Sequence, residues 1–66
     1  MDHMMMARVS RINAEILAIS IEVDGMKIAN MERLSKGEPL AYPDSDFFDA
    51  ANNVRGFATE LFQLSV

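Results

Sequence analysis

Apolar residues in the first half of the chain recur at alternating steps of three and four positions. This first seam consists of Val9, Ile12, Ile16, Ile19, Val23 and Met26. Such steps keep side chains on one face of an α-helix, so the pattern predicts a helix packed along one line of contact. The same register continues to Asn30 and Arg33, where the seam becomes polar. We predict helix 1 over roughly residues 6–36, ending before Gly37, a residue that readily adopts positive φ.

A second stripe of apolar residues lies on another face of the same predicted helix. Its members are Ala14, Leu17, Ala18, Ile21, Ile28 and Met31. A helix that is apolar on two faces is usually covered on two sides. The sequence therefore predicts that one neighbouring helix is not enough to cover helix 1.

Residues 19–29 also support a different structure. Apolar and polar residues alternate from Ile19 to Gly25, and Asp24-Gly25 is a frequent two-residue turn between antiparallel strands. This alternative is an α+β fold, with a β-hairpin at Asp24-Gly25 packed on a C-terminal helix. The helical spacing extends over the whole of residues 9–26, whereas the alternation is short, so the continuous helix is favoured.

Two prolines and a glycine in residues 37–44 end the first helix and predict a connection. We predict helix 2 from about Ser45 to Leu64, with Asp44 or Ser45 capping its first turn. Its seam is predicted at Phe47, Ala51, Val54, Ala58, Leu61 and Ser65, flanked by Phe48, Phe57 and Phe62. The fold class is therefore all-α: an antiparallel hairpin of a long and a shorter helix.

The charge is divided unevenly along the chain, which carries a net charge of −4. Residues 1–36 hold five acids and five bases, whereas residues 37–66 hold five acids and one base, Arg55. Nucleic-acid binders show an excess of positive charge, so we expect neither DNA nor RNA as a partner. No apolar run is long enough to predict a membrane span.

The first residues and the composition bound the remaining classes of function. Met1-Asp2-His3 resembles a cloning remnant, so we expect a single domain over residues 4–66. Outside it the chain has no histidine, and it has no cysteine at all. We therefore expect no catalytic residues, no metal site and no cofactor, hence no enzyme, and a cytoplasmic location.

The unequal helix lengths predict self-association. If helix 2 folds back directly, it reaches only to about Ile16, and residues 6–15, with Val9 and Ile12, project uncovered. A homodimer, or a higher oligomer, forming a four-helix bundle would cover this overhang and the second stripe. The predicted oligomer or partner interface is therefore the first seam, Val9, Ile12, Ile16, Ile19, Val23 and Met26.

Four polar residues are candidates for ligand or register contacts: Arg8, Arg11, Asn30 and Arg55. An asparagine in a helical seam commonly sets register. The favoured function is a non-enzymatic adaptor, inhibitor or regulator that associates with itself and binds another protein, of the kind encoded by bacteria, phages or mobile elements. The alternative is an oligomer with a small-molecule or nucleotide pocket between subunits. A DNA mimic is disfavoured because five acids are few for that role.

Overall fold

Two antiparallel α-helices make up the chain in a computed structural model, which describes residues 3–65. Helix α1 spans His3–Ser35 and helix α2 spans Asp44–Leu64. They pack side by side as a hairpin with extents of 53 × 17 × 9 Å. No strand occurs within residues 3–65, so the predicted all-α hairpin is confirmed.

Helix α1 runs without interruption through the disputed segment. Asp24 and Gly25 both lie inside it, so the β-hairpin alternative is wrong. The helix also begins at His3, three residues before the predicted start, because the methionines and alanine that follow are good helix formers. The expected cloning remnant lies partly outside the described residues, since Met1 and Asp2 precede them.

The end of α1 is closed by backbone hydrogen bonds around Gly37. The N–H of Glu38 donates to the carbonyl of Arg33 at 2.9 Å, and the N–H of Gly37 donates to that of Leu34 at 3.1 Å. Gly37 has a φ of 70°, as this type of helix end requires. The Arg33 guanidinium lies 3.6 Å from the Glu38 carboxylate across the same turn. The predicted stop at Gly37 is therefore confirmed.

The Asn30 side chain holds the connection between the helices against α1. Asn30 donates a hydrogen bond from its amide nitrogen to the carbonyl of Tyr42, and its amide oxygen accepts one from the N–H of Tyr42, both at 2.9 Å. Helix α2 then starts at Asp44, preceded by Pro43 in the capping position with an extended backbone. The predicted capping by Asp44 or Ser45 is wrong: no side chain caps this end, and both residues are already helical.

The connection runs back along α1 to Asn30. Helix α2 therefore begins beside an inner turn of α1 and not beside the end of α1. Its register is marked by Arg11, whose guanidinium lies 3.2 Å from the Glu60 carboxylate. The helix continues past that level to Leu64. Ile12 is consequently covered, with none of its surface exposed, and the predicted overhang of residues 6–15 is wrong. As a fully buried residue, Ile12 is also not an accessible interface residue in this hairpin.

The two helices meet along regularly spaced seams. On α1 the predicted first seam is the partly or fully buried face. On α2 the partly buried apolar face consists of Phe47, Ala50, Ala51, Val54, Phe57, Leu61 and Leu64. Ala58 and Ser65, which were predicted to belong to it, are exposed. The seam of α2 is thus rotated toward Phe57 and Leu64, the larger apolar side chains, which bury more surface.

Candidate interaction surface

The helix pair has an apolar groove along one of its two sides. This apolar side is lined by Ile16, Ser20, Val23, Phe47, Ala51 and Val54, among others. Two charged residues, Asp24 and Lys27, also border it and lie 3.9 Å apart as an ion pair within one helical turn. The groove is open to solvent and mainly hydrocarbon, so it suits an apolar side chain rather than a charged ligand.

The opposite side of the helix pair is acidic. Its two grooves are bordered by the carboxylates of Glu15, Glu22, Asp46, Asp49 and Glu60. On α1, Ala18 and Glu22 belong to this acidic side. They lie on one flank of the first seam, whereas Ser20 and Asp24 lie on the other flank. The Arg11–Glu60 pair offsets one of these negative charges. These carboxylates give the acidic side a negative electrostatic potential.

The second stripe on α1 is exposed. Leu17, Ile21, Ile28 and Met31 keep 61, 63, 58 and 67 % of their surface in contact with solvent. At 3.6 residues per turn, the stripe lies about 150° around the helix from the first seam. Helix α2 covers the first seam and so leaves the second uncovered. Burying these four side chains would release on the order of 1–2 kcal/mol each.

Helix α2 also carries an exposed apolar ladder. Phe48 and Phe62, 67 and 66 % exposed, stand at its two ends. Between them, at steps of three and four, come Ala51, Arg55 and Ala58. Because Ala51 lines the groove of the apolar side, the ladder lies on that side as well. The Arg55 guanidinium donates a hydrogen bond to the Asn52 side chain at 2.8 Å, within the same helix.

The four polar residues singled out in the sequence are not brought together. Arg11 contacts Glu60 near one end of the hairpin, and Asn30 holds the connection near the other, about 28 Å away along α1. Arg55 lies on α2, and Arg8 is exposed on the second full turn of α1. The Asn30 contact holds the connection against α1, but its partner, the backbone of Tyr42, is not recognisable from the sequence.

Other kinds of site have little support in the described residues. Across residues 3–65 no three acidic or histidine side chains cluster closely enough to hold a metal ion. Neither described helix is long and apolar enough to cross a membrane. In comparisons with protein-family models, curated proteins and solved structures, nothing matches the chain.

Proposed function

We propose that this is a non-enzymatic, self-associating helical protein that acts by binding another protein, as an adaptor, inhibitor or regulator. One observation carries the proposal. Within residues 3–65 a single side chain, Ile12, is fully buried, whereas eleven large hydrophobic side chains are exposed. A fold with this distribution of apolar surface gains much of its stability only when another molecule covers it.

The dimensions of the hairpin support the same conclusion. A compact protein of its mass exposes roughly 4,200 Å², whereas this chain exposes 5118 Å². Its radius of gyration is 15.8 Å, against about 11 Å for a compact domain of this length. Two helices in contact along one seam bury little surface, so the conformational entropy lost on folding offsets most of the free energy that the seam gains.

A homodimer is the simplest assembly that supplies the missing contacts. Two hairpins together provide four helices, and each hairpin can cover apolar surface that the other leaves exposed. The assembly would leave each acidic side facing solvent and so remain soluble. The absence of cysteine fits a reducing compartment, and we place the protein in the cytoplasm.

A nucleotide or small-molecule pocket between subunits has weaker support. Such a pocket would draw on Arg8, Arg11, Asn30 and Arg55. Three of these already contact groups in their own hairpin, and Asn30 lies about 28 Å along α1 from Arg11. The grooves of the acidic side carry five carboxylates, which disfavour an anionic ligand. We therefore do not propose this function.

Sedimentation equilibrium and thermal melting test the proposal together. We expect a mass at least twice the 7.4 kDa of one chain, and a melting temperature that rises with protein concentration because association stabilises the fold. A well-folded monomer, melting at one temperature over a hundredfold range of concentration, would overturn the proposal.

The binding of another protein is tested through the α2 ladder. The double variant Phe48→Ser, Phe62→Ser should keep the oligomeric mass yet lose a protein captured by the wild type. The matched control is Asn53→Ser, Gln63→Ser, which changes two exposed helical positions of α2 outside the ladder and should retain capture. Equal capture by both variants would show that the ladder does not bind the partner.

A further inference from the structure

The second stripe follows a regular line of positions along almost the whole of α1. Taken at strictly alternating steps, its central line is Ala14, Leu17, Ile21, Asp24, Ile28 and Met31, with Ala18 at its edge. Serines continue the line at both ends, at Ser10 and Ser35. A seven-residue repeat maintained over this length is typical of a helix that packs on another long helix. The occupant of this face should therefore be a helix about as long as α1.

We propose that this occupant is α1 of a second copy of the chain, packed antiparallel about a two-fold axis that passes between residues 22 and 23. The inference rests on the proposed self-association and assigns its interface. A two-fold interface must be complementary to itself, because each surface meets its own duplicate. Whether the central line of the second stripe meets that condition can be examined layer by layer.

Antiparallel pairing about this axis matches side chains of suitable size and polarity in every layer except the two at the centre, where Asp24 meets Ile21. Leu17 of one copy lies against Ile28 of the other, and the small Ala14 lies against the large Met31. The two end serines face each other in the outermost layer. Shifting the pairing by one heptad in either direction replaces these apolar layers with pairs such as Ala14–Asp24 or Leu17–Ser35. Of these three antiparallel registers, the one centred between residues 22 and 23 buries the most hydrocarbon.

Charges at the edge of the pairing agree with it. Arg11 of one copy comes within about 3 Å, measured along the helix axis, of Glu32 of the other, so that opposite charges meet at both ends of the contact. A parallel pairing would gain a contact between Lys27 and Glu32 at its edge. However, it would also place Asp24 against Asp24 inside one layer, where like charges repel with less screening by solvent than at the edge. The antiparallel arrangement places each Asp24 against Ile21 instead.

Gly25 supplies an independent observation. It lies inside α1, where glycine is unfavourable relative to alanine. In the hairpin a Cβ at this position would have nothing within 4 Å, so the fold of one chain does not require a glycine there. In the antiparallel pair, Gly25 comes within about 3 Å, measured along the helix axis, of Ala18 of the other copy. Two small residues at this point allow the two helices to approach closely.

The pairing also defines the shape of the dimer. The first seam and the second stripe are about 150° apart on α1, whereas a closed square bundle requires roughly a right angle. The four helices would therefore lie side by side in a curved layer, with the two α1 helices in the centre. Phe48 and Phe62 remain outside the contact between the α1 helices.

Cysteine cross-linking tests this arrangement, because the natural chain has no cysteine. Leu17→Cys and Ile28→Cys variants are purified separately, mixed under reducing conditions and then oxidised. We expect disulfide-linked dimers in the mixture and none in either variant alone. In each homodimer the two cysteines are about 16 Å apart along the helices, beyond the distance that a disulfide can span. Glu22→Cys, level with the axis but on the acidic side, is the control that should not cross-link.

Each outcome decides between the proposals. Cross-linking of Leu17→Cys with itself would indicate parallel pairing and overturn the inference. A dimer by sedimentation that gives no cross-link in the mixture would also overturn it, and would leave the proposed self-association standing with its interface elsewhere. A folded monomer by sedimentation would overturn both. Circular dichroism of every variant confirms that the helices are retained.

Discussion

The two apolar lines on α1 have similar sequences but different environments. The first seam and the second stripe both consist of isoleucine with other aliphatic residues at helical spacing. Ile12 of the first seam has no exposed surface, whereas Ile21 of the second stripe is 63 % exposed. Helix α2 accounts for the difference, because it has one seam and can cover one face of α1. Hydrophobic spacing thus identifies the faces that require a neighbour without identifying the neighbour.

The largest effect should come from a charge on the covered line. In Ile12→Asp a carboxylate replaces a fully buried side chain of the apolar seam, at a cost on the order of 4 kcal/mol or more. So small a fold cannot absorb this loss. We expect most of the helical circular dichroism signal to disappear at every protein concentration.

The matching change on the exposed line separates folding from association. Ile21→Asp should leave α1–α2 contacts intact but abolish the rise of melting temperature with concentration. Glu22→Lys, one residue away on the acidic side, is the control and should behave as the wild type. If Ile21→Asp melts exactly as the wild type does at all concentrations, the second stripe is not an interface.

The elements of the fold could be predicted because their signals are local. The helical spacing of apolar residues is longer than the alternation of apolar and polar residues, and it predicts that α1 continues through Gly25. Gly37 predicts where α1 ends. The seam of α1 was also placed correctly. Each of these depends on residues within a few turns of one another, where helix geometry alone relates sequence to position.

The relation between the two helices could not be predicted in the same way. The overhang was expected because the connection was treated as a simple reversal, whereas Asn30 binds the backbone of Tyr42 and holds it back along α1. That contact joins residues twelve apart and has no periodic signature. The predicted seam of α2 is wrong at Ala58. Phe57 fits a similar helical spacing, and only packing against α1 determines which of the two residues is covered.

A smaller effect should come from releasing the connection. Asn30→Ala removes both hydrogen bonds to Tyr42, each worth about 1 kcal/mol, while improving the helix propensity slightly. We expect a net loss of roughly 1–2 kcal/mol in urea denaturation. Asn13→Ala, at an exposed position of the same helix, is the control and should be neutral or slightly stabilising. Equal stability of the two variants would show that the Tyr42 contact contributes nothing.

Two glycines provide a finer comparison between covered and uncovered surfaces. Gly25 and Gly56 are both helical, and a Cβ at either would meet nothing within 4 Å in the hairpin. Alanine at either position should therefore stabilise an isolated hairpin by up to about 1 kcal/mol. In the dimer, however, the added methyl group at Gly25 meets Ala18 of the other copy. We expect Gly56→Ala to raise the melting temperature and Gly25→Ala to raise it less or lower it. Equal gains at high concentration would argue against a close approach at Gly25.

The smallest effect concerns Arg11, whose two acidic neighbours distinguish contacts within the hairpin from contacts between hairpins. Its side chain and that of Glu60 are 54 and 44 % exposed, so their ion pair should contribute under about 1 kcal/mol and weaken as salt is added.

Double-mutant cycles with Arg11→Gln measure the coupling of Arg11 to Glu60 and, separately, to Glu32. Since Glu60 belongs to the same hairpin, that coupling should not change with protein concentration. Coupling to Glu32 should appear only where the dimer is populated, because these two residues lie about 31 Å apart along α1 of one chain. A Glu32 coupling of zero at high concentration, with the Glu60 coupling intact, would place the dimer contact away from the register drawn through Leu17 and Ile28.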